Sequence, residues 1–308
     1  MALALPSSAG FAQSVCQRRR ALDPRTPLVV VEGATDRRAL LPFLGPQVVV
    51  VPARGRPNAI AAHERSNGEG LTGVLFMIDC DGSVPSHLKG LPDLIISANR
   101  DLESDLLLEL DALRRYALDV LADISTIRSD AESRIDRLLT RAAAVSAGLE
   151  RVRRAARAMN VPTRFIDPIT GQRRKVAAHD LPHGQSWMAA DSPPPELEDI
   201  ALAYQVVAGW SQLELATVMT EVSRNSASPC ARHGAAGCTI CETRALCVGH
   251  DLVEFVTQGL RLETGIDLEV YEVDRGIRVS SDRSLVSRWC VSTRGRRWAD
   301  SHGLQLFS

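Results

Sequence analysis

Short apolar runs that end in polar residues dominate the first third of the chain. They are LVVV at 28–31, VVVV at 48–51, GVLFMI at 73–78 and LIIS at 94–97. Helix-like patterns lie between them, and strands that alternate with short helices indicate a parallel sheet joined by right-handed crossovers. We therefore expect a Rossmann-like, doubly wound α/β domain over residues 26–105.

A different spacing begins at Leu106, where apolar residues recur in steps of four and three as far as Val152. This spacing is typical of a helix-packing seam. Ser129 and Glu132 have the spacing of a capping box that would start a second helix and fold the region into an antiparallel hairpin. A continuous rod with a stutter is the alternative. We expect a long helix or helical hairpin over 106–160, with a structural role or as the seam of a homodimer.

The rest of the chain predicts a mainly helical region over 161–308. Residues 161–195 mix turn formers with short extended pieces and suggest a small hairpin across 168–171. Amphipathic patterns predict helices over 196–224 and 250–262, whereas 268–279 alternates as a strand or hairpin would. The opening residues 1–25 have basic residues after their apolar part, the reverse of a secretory signal, and suggest a disordered lead-in.

Composition and net charge limit the kinds of protein that this chain can be. The 308 residues carry a net charge of −1, with 45% hydrophobic and 24% charged residues, which is typical of a globular protein. This charge argues against coating of nucleic acid by bulk electrostatics. No apolar run is long enough to cross a bilayer, so we expect a cytoplasmic protein without a membrane partner.

Acidic residues follow two of the predicted strands. Glu32 follows the first, and Asp79 and Asp81 follow the third. Ligand sites of open α/β sheets lie at the carboxyl ends of the strands, and two acids one residue apart on an extended stretch point the same way. Magnesium prefers such oxygen ligands. We therefore expect these three acids to converge on a divalent cation.

Four further acids lie close to these three in the sequence. Asp36 is one helical turn after Glu32 and faces back towards it, so it is a candidate ligand of the same cation. The segment ANRDLESDLL adds Asp101, Glu103 and Asp105 after the fourth strand. Asp105 is better explained as a helix-start residue, because negative charge there complements the helix dipole.

The order VEGATDRRALLPFL, VVVVPARGR, FMIDCDG and ANRDLESDLL resembles the toprim domain of topoisomerases, bacterial primases and overcoming-lysogenization-type nucleases. It is most similar to the stand-alone toprim nucleases that accompany ATPases in bacterial anti-phage systems. The resemblance covers about the first third of the chain. It implies that Asp79 and Asp81 bind Mg²⁺ or Mn²⁺ and that Glu32 binds metal or transfers a proton. It also implies that a further acid completes a second metal site, for which Glu103 is our first choice and Asp101 the second.

Cysteines and histidines cluster near residues 230–250. The clustered residues are Cys230, His233, Cys238, Cys241, Cys247 and His250. CxxC between Cys238 and Cys241 is a zinc-knuckle spacing, and Cys230 with Cys247 would complete a tetrahedral structural Zn²⁺ site. His233 could replace either outer cysteine, and His250 could instead open a helix. Iron-sulfur ligation and ordinary reduced cysteines are the alternatives.

Arginines form two further groups of interest. Arg37, Arg54, Arg56 and Arg100 flank the strand ends, where they could clamp phosphates or simply be solvated. The second group lies near the end of the chain, around Trp289 and Trp298: Arg275, Arg278, Arg283, Arg288, Arg294, Arg296 and Arg297. These could bind nucleic acid, although a solvated face with two packed tryptophans is the preferred interpretation.

The resemblance implies a metal-dependent endonuclease that hydrolyses phosphodiester bonds of DNA or RNA. The chain has no GxxxxGK[ST] motif of its own, so we expect a separately encoded ATPase partner in antiviral defence. A catalytically silent toprim-like scaffold that binds an ATPase or nucleic acid is the alternative. A topoisomerase or primase is a third interpretation, weakened because no tyrosine domain or primase accessory region is recognisable.

Overall fold

The computed structural model describes residues 7–80, 86–97, 101–109, 112–122, 130–167, 170–182, 184, 186–189, 195–224, 246, 248–280 and 289–307. The chain forms two compact units. One consists of Met1–Leu110 and Ser281–Ser308, and the other of Asp111–Ser280. The first unit contains a parallel sheet with helices and the second is mostly helical, so the predicted α/β class is confirmed.

The sheet of the first unit has four parallel strands in the order β2-β1-β3-β4. These are β1 Leu28–Val31, β2 Val49–Pro52, β3 Val74–Ile78 and β4 Leu94–Ile96. Leu28 pairs with both Val49 and Val74, so β1 lies between β2 and β3. The carboxyl ends of β1 and β3 are therefore neighbours at one edge of the sheet.

Helices cover both faces of this sheet, and its two central strands, β1 and β3, are buried along their whole length. The helices are α1 Ser8–Ala21, α2 Ala34–Leu40, α3 Arg56–Gly68, α4 Leu102–Glu109 and α11 Cys290–Ser301. Val30 and Phe76 pack into a cluster with apolar residues of α1 and α3. Val29 and Met77 pack into a second cluster with residues of α2, α4 and α11. The alternation of side chains along each strand thus supplies two apolar layers.

Helix α1 replaces the disordered lead-in expected over residues 1–25. Phe11, Val15 and Cys16 are buried on one of its faces. Arg19 is also buried, and its guanidinium donates hydrogen bonds to the carbonyl oxygens of Thr26, at 2.7 Å, and Pro24, at 3.0 Å. The expectation was wrong for residues 8–21 because the arginine stretch includes a buried structural residue.

Helix α11 brings the end of the chain into the first unit instead of the C-terminal region predicted over 161–308. Trp289 and Trp298 are buried in the cluster beneath β1 and β3. Arg294 of the same helix donates hydrogen bonds to the carbonyl oxygens of Leu94 and Ile96. The packed tryptophans of our preferred interpretation are confirmed.

The second unit contains six α-helices and two strands in the described residues. They are α5 Ala112–Ala122, α6 Ala131–Ala158, β5 Arg164–Ile166, β6 Arg173–Lys175, α7 Leu197–Ala208, α8 Gln212–Arg224, α9 Gly249–Thr264 and α10 Val270–Ser280. Arg114 Nε lies 3.0 Å from Asp136 Oδ1. In one continuous helix these residues would be about 33 Å apart. Helices α5 and α6 therefore form the predicted hairpin, and the rod is excluded.

Two smaller predictions in this unit have opposite outcomes. The small hairpin is confirmed, because β5 and β6 pair antiparallel. The strand predicted over 268–279 is wrong, because α10 covers most of it. Val273 and Ile277 are buried one helical turn apart, and this spacing was the helical signal within the alternation. No helix in the described part of the chain is long and apolar enough to span a membrane.

Candidate functional site

Glu32 lies directly after β1 and joins three parts of the first unit. Its Oε2 accepts a hydrogen bond from the backbone amide of Asp79, at 3.1 Å. The same oxygen accepts one from Nε of Arg56, at 3.2 Å. Since β1 and β3 are neighbouring parallel strands, their ends bring Glu32 and Asp79 together as predicted.

Asp79 lies directly after β3 and is half-buried. Its Oδ1 accepts a hydrogen bond from the backbone amide of Leu102, at 3.2 Å. Because Leu102 is the first residue of α4, this bond ties the end of β3 to the start of that helix. Asp79 therefore faces the segment that carries the additional acids.

Asp36 and Asp101 each hold a helix start. Oδ2 of Asp36 accepts a hydrogen bond from the amide of Gly33, at 2.7 Å, and the Asp36 side chain is buried. Oδ1 of Asp101 accepts one from the amide of Ser104, at 2.6 Å. Asp105 is fully buried in the first turn of α4, where we expected a helix-start residue. Negative charge is thus concentrated at the starts of α2 and α4.

These carboxylates act together on Asp79. Burial raises the pKa of Asp79 to about 9, and repulsion from Asp36, Asp101 and Glu32 contributes to the rise. Like charges brought together in a partly buried site disfavour a further ionised carboxylate. Asp101, our second choice after Glu103 as an additional metal ligand, contributes to the raised pKa of Asp79.

The arginines that flank the strand ends have different environments. Arg56 has a side chain only 12% exposed, and besides Glu32 it binds the carbonyl oxygen of Asp79, at 2.9 Å. It is therefore a largely covered positioning residue and not a solvated one. Arg37 and Arg54 are exposed. Arg100 lies outside the described residues.

A cavity of about 440 Å³ lies beside the end of β2. Its lining includes Arg54, Asn58 and Val51, together with Ser14 and Arg18 from α1. Arg54 has a φ of 62° and precedes Gly55, whose amide donates to the Glu32 carbonyl oxygen, at 2.8 Å. The turn after β2 therefore holds the backbone of Glu32 and also places the guanidinium of Arg54 at this cavity. Sequence reasoning missed Arg18, because α1 was not expected.

Several predicted ligands lie outside the described residues. These are Asp81 and the whole proposed zinc set, Cys230, His233, Cys238, Cys241 and Cys247. Within the described ranges, no group of three or more His, Cys, Asp or Glu residues is arranged to hold a metal ion. The described residues therefore form an electrostatically coupled acidic group without a complete ligand set.

His250, the last member of the cysteine and histidine cluster, lies in the first turn of α9, as one of the two interpretations predicted. Its side chain is exposed and lies 4.0 Å from the carboxylate of Glu254.

Comparison with known proteins adds no family to this description. No protein-family model matches the chain, and no curated protein matches it either.

Proposed function

We propose that the chain is a divalent-metal-dependent nuclease with a toprim-type first unit. The observation that carries the proposal is the acidic group at adjacent strand ends, in which burial, together with repulsion from Asp36, Asp101 and Glu32, raises the pKa of Asp79. Ionisation of Asp79 within this group lowers stability unless a cation offsets the negative charge. Acids at this edge of an open α/β sheet lie where ligands of such folds bind.

The donor set fits a hard cation, since all its side-chain donors are carboxylate oxygens. The described acids alone do not form a complete ligand set, so in this proposal Asp81 of the sequence motif completes the site with Glu32, Asp79 and Asp101. When bound, Mg²⁺ or Mn²⁺ supplies charge neutralisation at the scissile phosphate and lowers the pKa of bound water. Arg56 fixes the carboxylate of Glu32, and Arg54 and Arg18 bring positive charge for flanking phosphates.

A partner ATPase and a role in antiviral defence complete this proposal. Both follow from the resemblance of VEGATDRRALLPFL and FMIDCDG to stand-alone toprim effectors, and from the lack of a P-loop in the sequence. A cytoplasmic location fits the same role. A structural zinc ion at 230–250 is part of the proposal.

One observation favours the catalytically silent scaffold as a second candidate. Oε2 of Glu32 already accepts hydrogen bonds from Arg56 and from the amide of Asp79. A ligand role would require Glu32 to use its other oxygen or Arg56 to move. Cleavage assays therefore decide between an enzyme and a scaffold.

The test is cleavage of plasmid DNA and of transfer RNA with Mn²⁺ or Mg²⁺, with and without the candidate ATPase. We expect Glu32→Gln and Asp79→Asn to lose at least about 100-fold in rate. Asp119→Asn, an exposed acid of α5, is the matched control and should cleave as the wild type does. Full activity in both site variants would refute the assignment, and inactivity of the wild type under every condition would favour the scaffold.

A further inference from the structure

The β5–β6 ribbon of the second unit carries basic residues on both faces. Its register pairs Arg164 with Lys175, Phe165 with Arg174 and Ile166 with Arg173. Paired residues of an antiparallel ribbon point to the same face, and alternate residues point to opposite faces. One face therefore carries Arg174 over Phe165, and the other carries the remaining two pairs.

The face of Arg174 is neutralised within the unit. The guanidinium of Arg174 lies 5.0 Å from the centre of the Phe165 ring. Arg174 Nε lies 3.0 Å from Asp167 Oδ2, and a further ion pair joins Arg174 to Asp180. Asp167 and Asp180, the acidic side chains near the ribbon, therefore pair with Arg174 on this face.

The opposite face carries three cations that have no such neutralisation. Arg164, Arg173 and Lys175 are exposed, and none makes a side-chain hydrogen bond or ion pair with any residue that the structure describes. Like charges directly opposite each other, such as Arg164 and Lys175, destabilise a ribbon. A bound polyanion would remove this repulsion.

A cavity of about 760 Å³ adjoins the ribbon. The ribbon contributes Arg164, Phe165, Ile166 and Arg173 to its lining, and Arg157, Asn160 and Ala208 line another side. The C-terminal ends of α6 and α7 lie at this side, because Ala208 is the last residue of α7 and Asn160 follows the end of α6. Helix C-termini disfavour anions. Arg157 at this end is paired with Glu150, at 2.7 Å. The cavity therefore suits a neutral group with hydrogen-bond donors better than a phosphate, and the phosphates suit the ribbon.

We propose that the ribbon face formed by Arg164, Arg173 and Lys175 binds the backbone of single-stranded nucleic acid, and that the adjoining cavity accepts an unpaired base. Single-strand sites combine cations that follow the backbone with apolar or planar surfaces for bases. Ile166, 63% exposed, supplies an apolar surface at the cavity. This inference rests on the proposed nucleic-acid substrate but does not require cleavage.

The first test measures binding of a fluorescein-labelled oligothymidylate by anisotropy in EDTA, over a salt series. Arg164→Ser/Arg173→Ser should weaken binding about tenfold and lower the slope of log K against log salt by about 1.4, for two lost phosphate contacts. Arg137→Ser/Arg224→Ser removes the same charge from exposed positions of α6 and α8 and is the control. Equal weakening in both variants would overturn the proposal.

Two measurements keep a folding defect apart from a binding defect. The ribbon variant should melt at the same temperature as the wild type or higher, because a repulsion is removed. Ala208→Trp fills the cavity without changing charge, so it should abolish the preference for single strand over duplex and leave the salt slope intact. A wild type that binds duplex as tightly as single strand would refute the base site.

Competition with polyglutamate tests whether the ribbon binds an acidic protein instead of nucleic acid. If the ribbon variant loses polyglutamate binding but keeps oligonucleotide binding, the proposal is wrong. All binding is measured without divalent metal. Loss of cleavage in Glu32→Gln and Asp79→Asn therefore does not affect this test of the ribbon. A chain that binds through the ribbon and never cleaves would refute the nuclease and leave the ribbon assignment standing.

Discussion

Replacing Asp79 with asparagine should stabilise the metal-free protein while removing activity. The pKa of Asp79 is raised from 3.8 to about 9 by burial and by the neighbouring acids. Between these values the folded chain holds a proton that the unfolded chain has released. Stability therefore falls as pH rises through this window, because the folded state binds more protons than the unfolded state. Asparagine cannot ionise, so this contribution disappears.

The size of the effect follows from proton linkage. One proton difference changes the free energy of unfolding by about 1.4 kcal/mol for each pH unit. An asparagine side chain at this position would keep an oxygen to accept the amide hydrogen of Leu102, at 3.2 Å in the wild type, so little packing changes. We expect the stability advantage of Asp79→Asn to be smallest near pH 4 and to grow by up to this amount per unit towards pH 8.

Urea denaturation in EDTA at several pH values measures this advantage. Asp119→Asn is the control, since Asp119 is exposed on α5, and its pH dependence should parallel that of the wild type. Added Mg²⁺ should stabilise the wild type, by about 2.7 kcal/mol at a hundredfold excess over the dissociation constant, and stabilise Asp79→Asn less. Parallel pH profiles for the wild type and Asp79→Asn would refute the reasoning.

Three further predictions concern stability in the second unit and the zinc element. Arg153 pairs with Asp251, whose side chain is only 6% exposed, so Arg153→Met should lower the free energy of unfolding by about 3 to 5 kcal/mol; an unchanged urea midpoint would contradict this. Gly259 lies so close to Leu138 that an added Cβ would approach Cδ1 of Leu138 to 2.1 Å. Gly259→Ala should therefore lower the free energy of unfolding by about 1 to 3 kcal/mol. An unchanged melting temperature would show that Leu138 moves freely. Cys238→Ser should lower zinc content and melting temperature together. If elemental analysis finds no zinc in wild-type protein that is fully stable, the cluster consists of ordinary reduced cysteines.

The local sequence pattern was sufficient to predict the parallel sheet and two members of the acidic group. Each strand is a short apolar run, and Glu32 and Asp79 follow directly after two of them. Parallel strands place their carboxyl ends at one edge, so convergence of these acids follows once the sheet is predicted. The α5–α6 hairpin was also predictable, although its choice over a rod required the contact between Arg114 and Asp136.

Only the tertiary structure decided which other residues join the site. Arg56 reads as one arginine among many in the sequence, yet it is buried because Glu32 and the Asp79 carbonyl oxygen accept its hydrogen bonds. Asp101, just before α4, contributes to the raised pKa of Asp79. The direction of a side chain at a helix start depends on how that helix meets the sheet, which local periodicity does not encode.

The two ends of the chain show the same limit. Residues 8–21 are rich in arginine, but Arg19 is buried by backbone carbonyl oxygens of the following loop. Trp289 and Trp298 lie more than 200 residues from β1 in the sequence and pack beneath it. Apolar pattern determines that such residues will be buried. The partner elements are set by long-range packing, because many surfaces of similar hydrophobicity compete and shape complementarity selects among them.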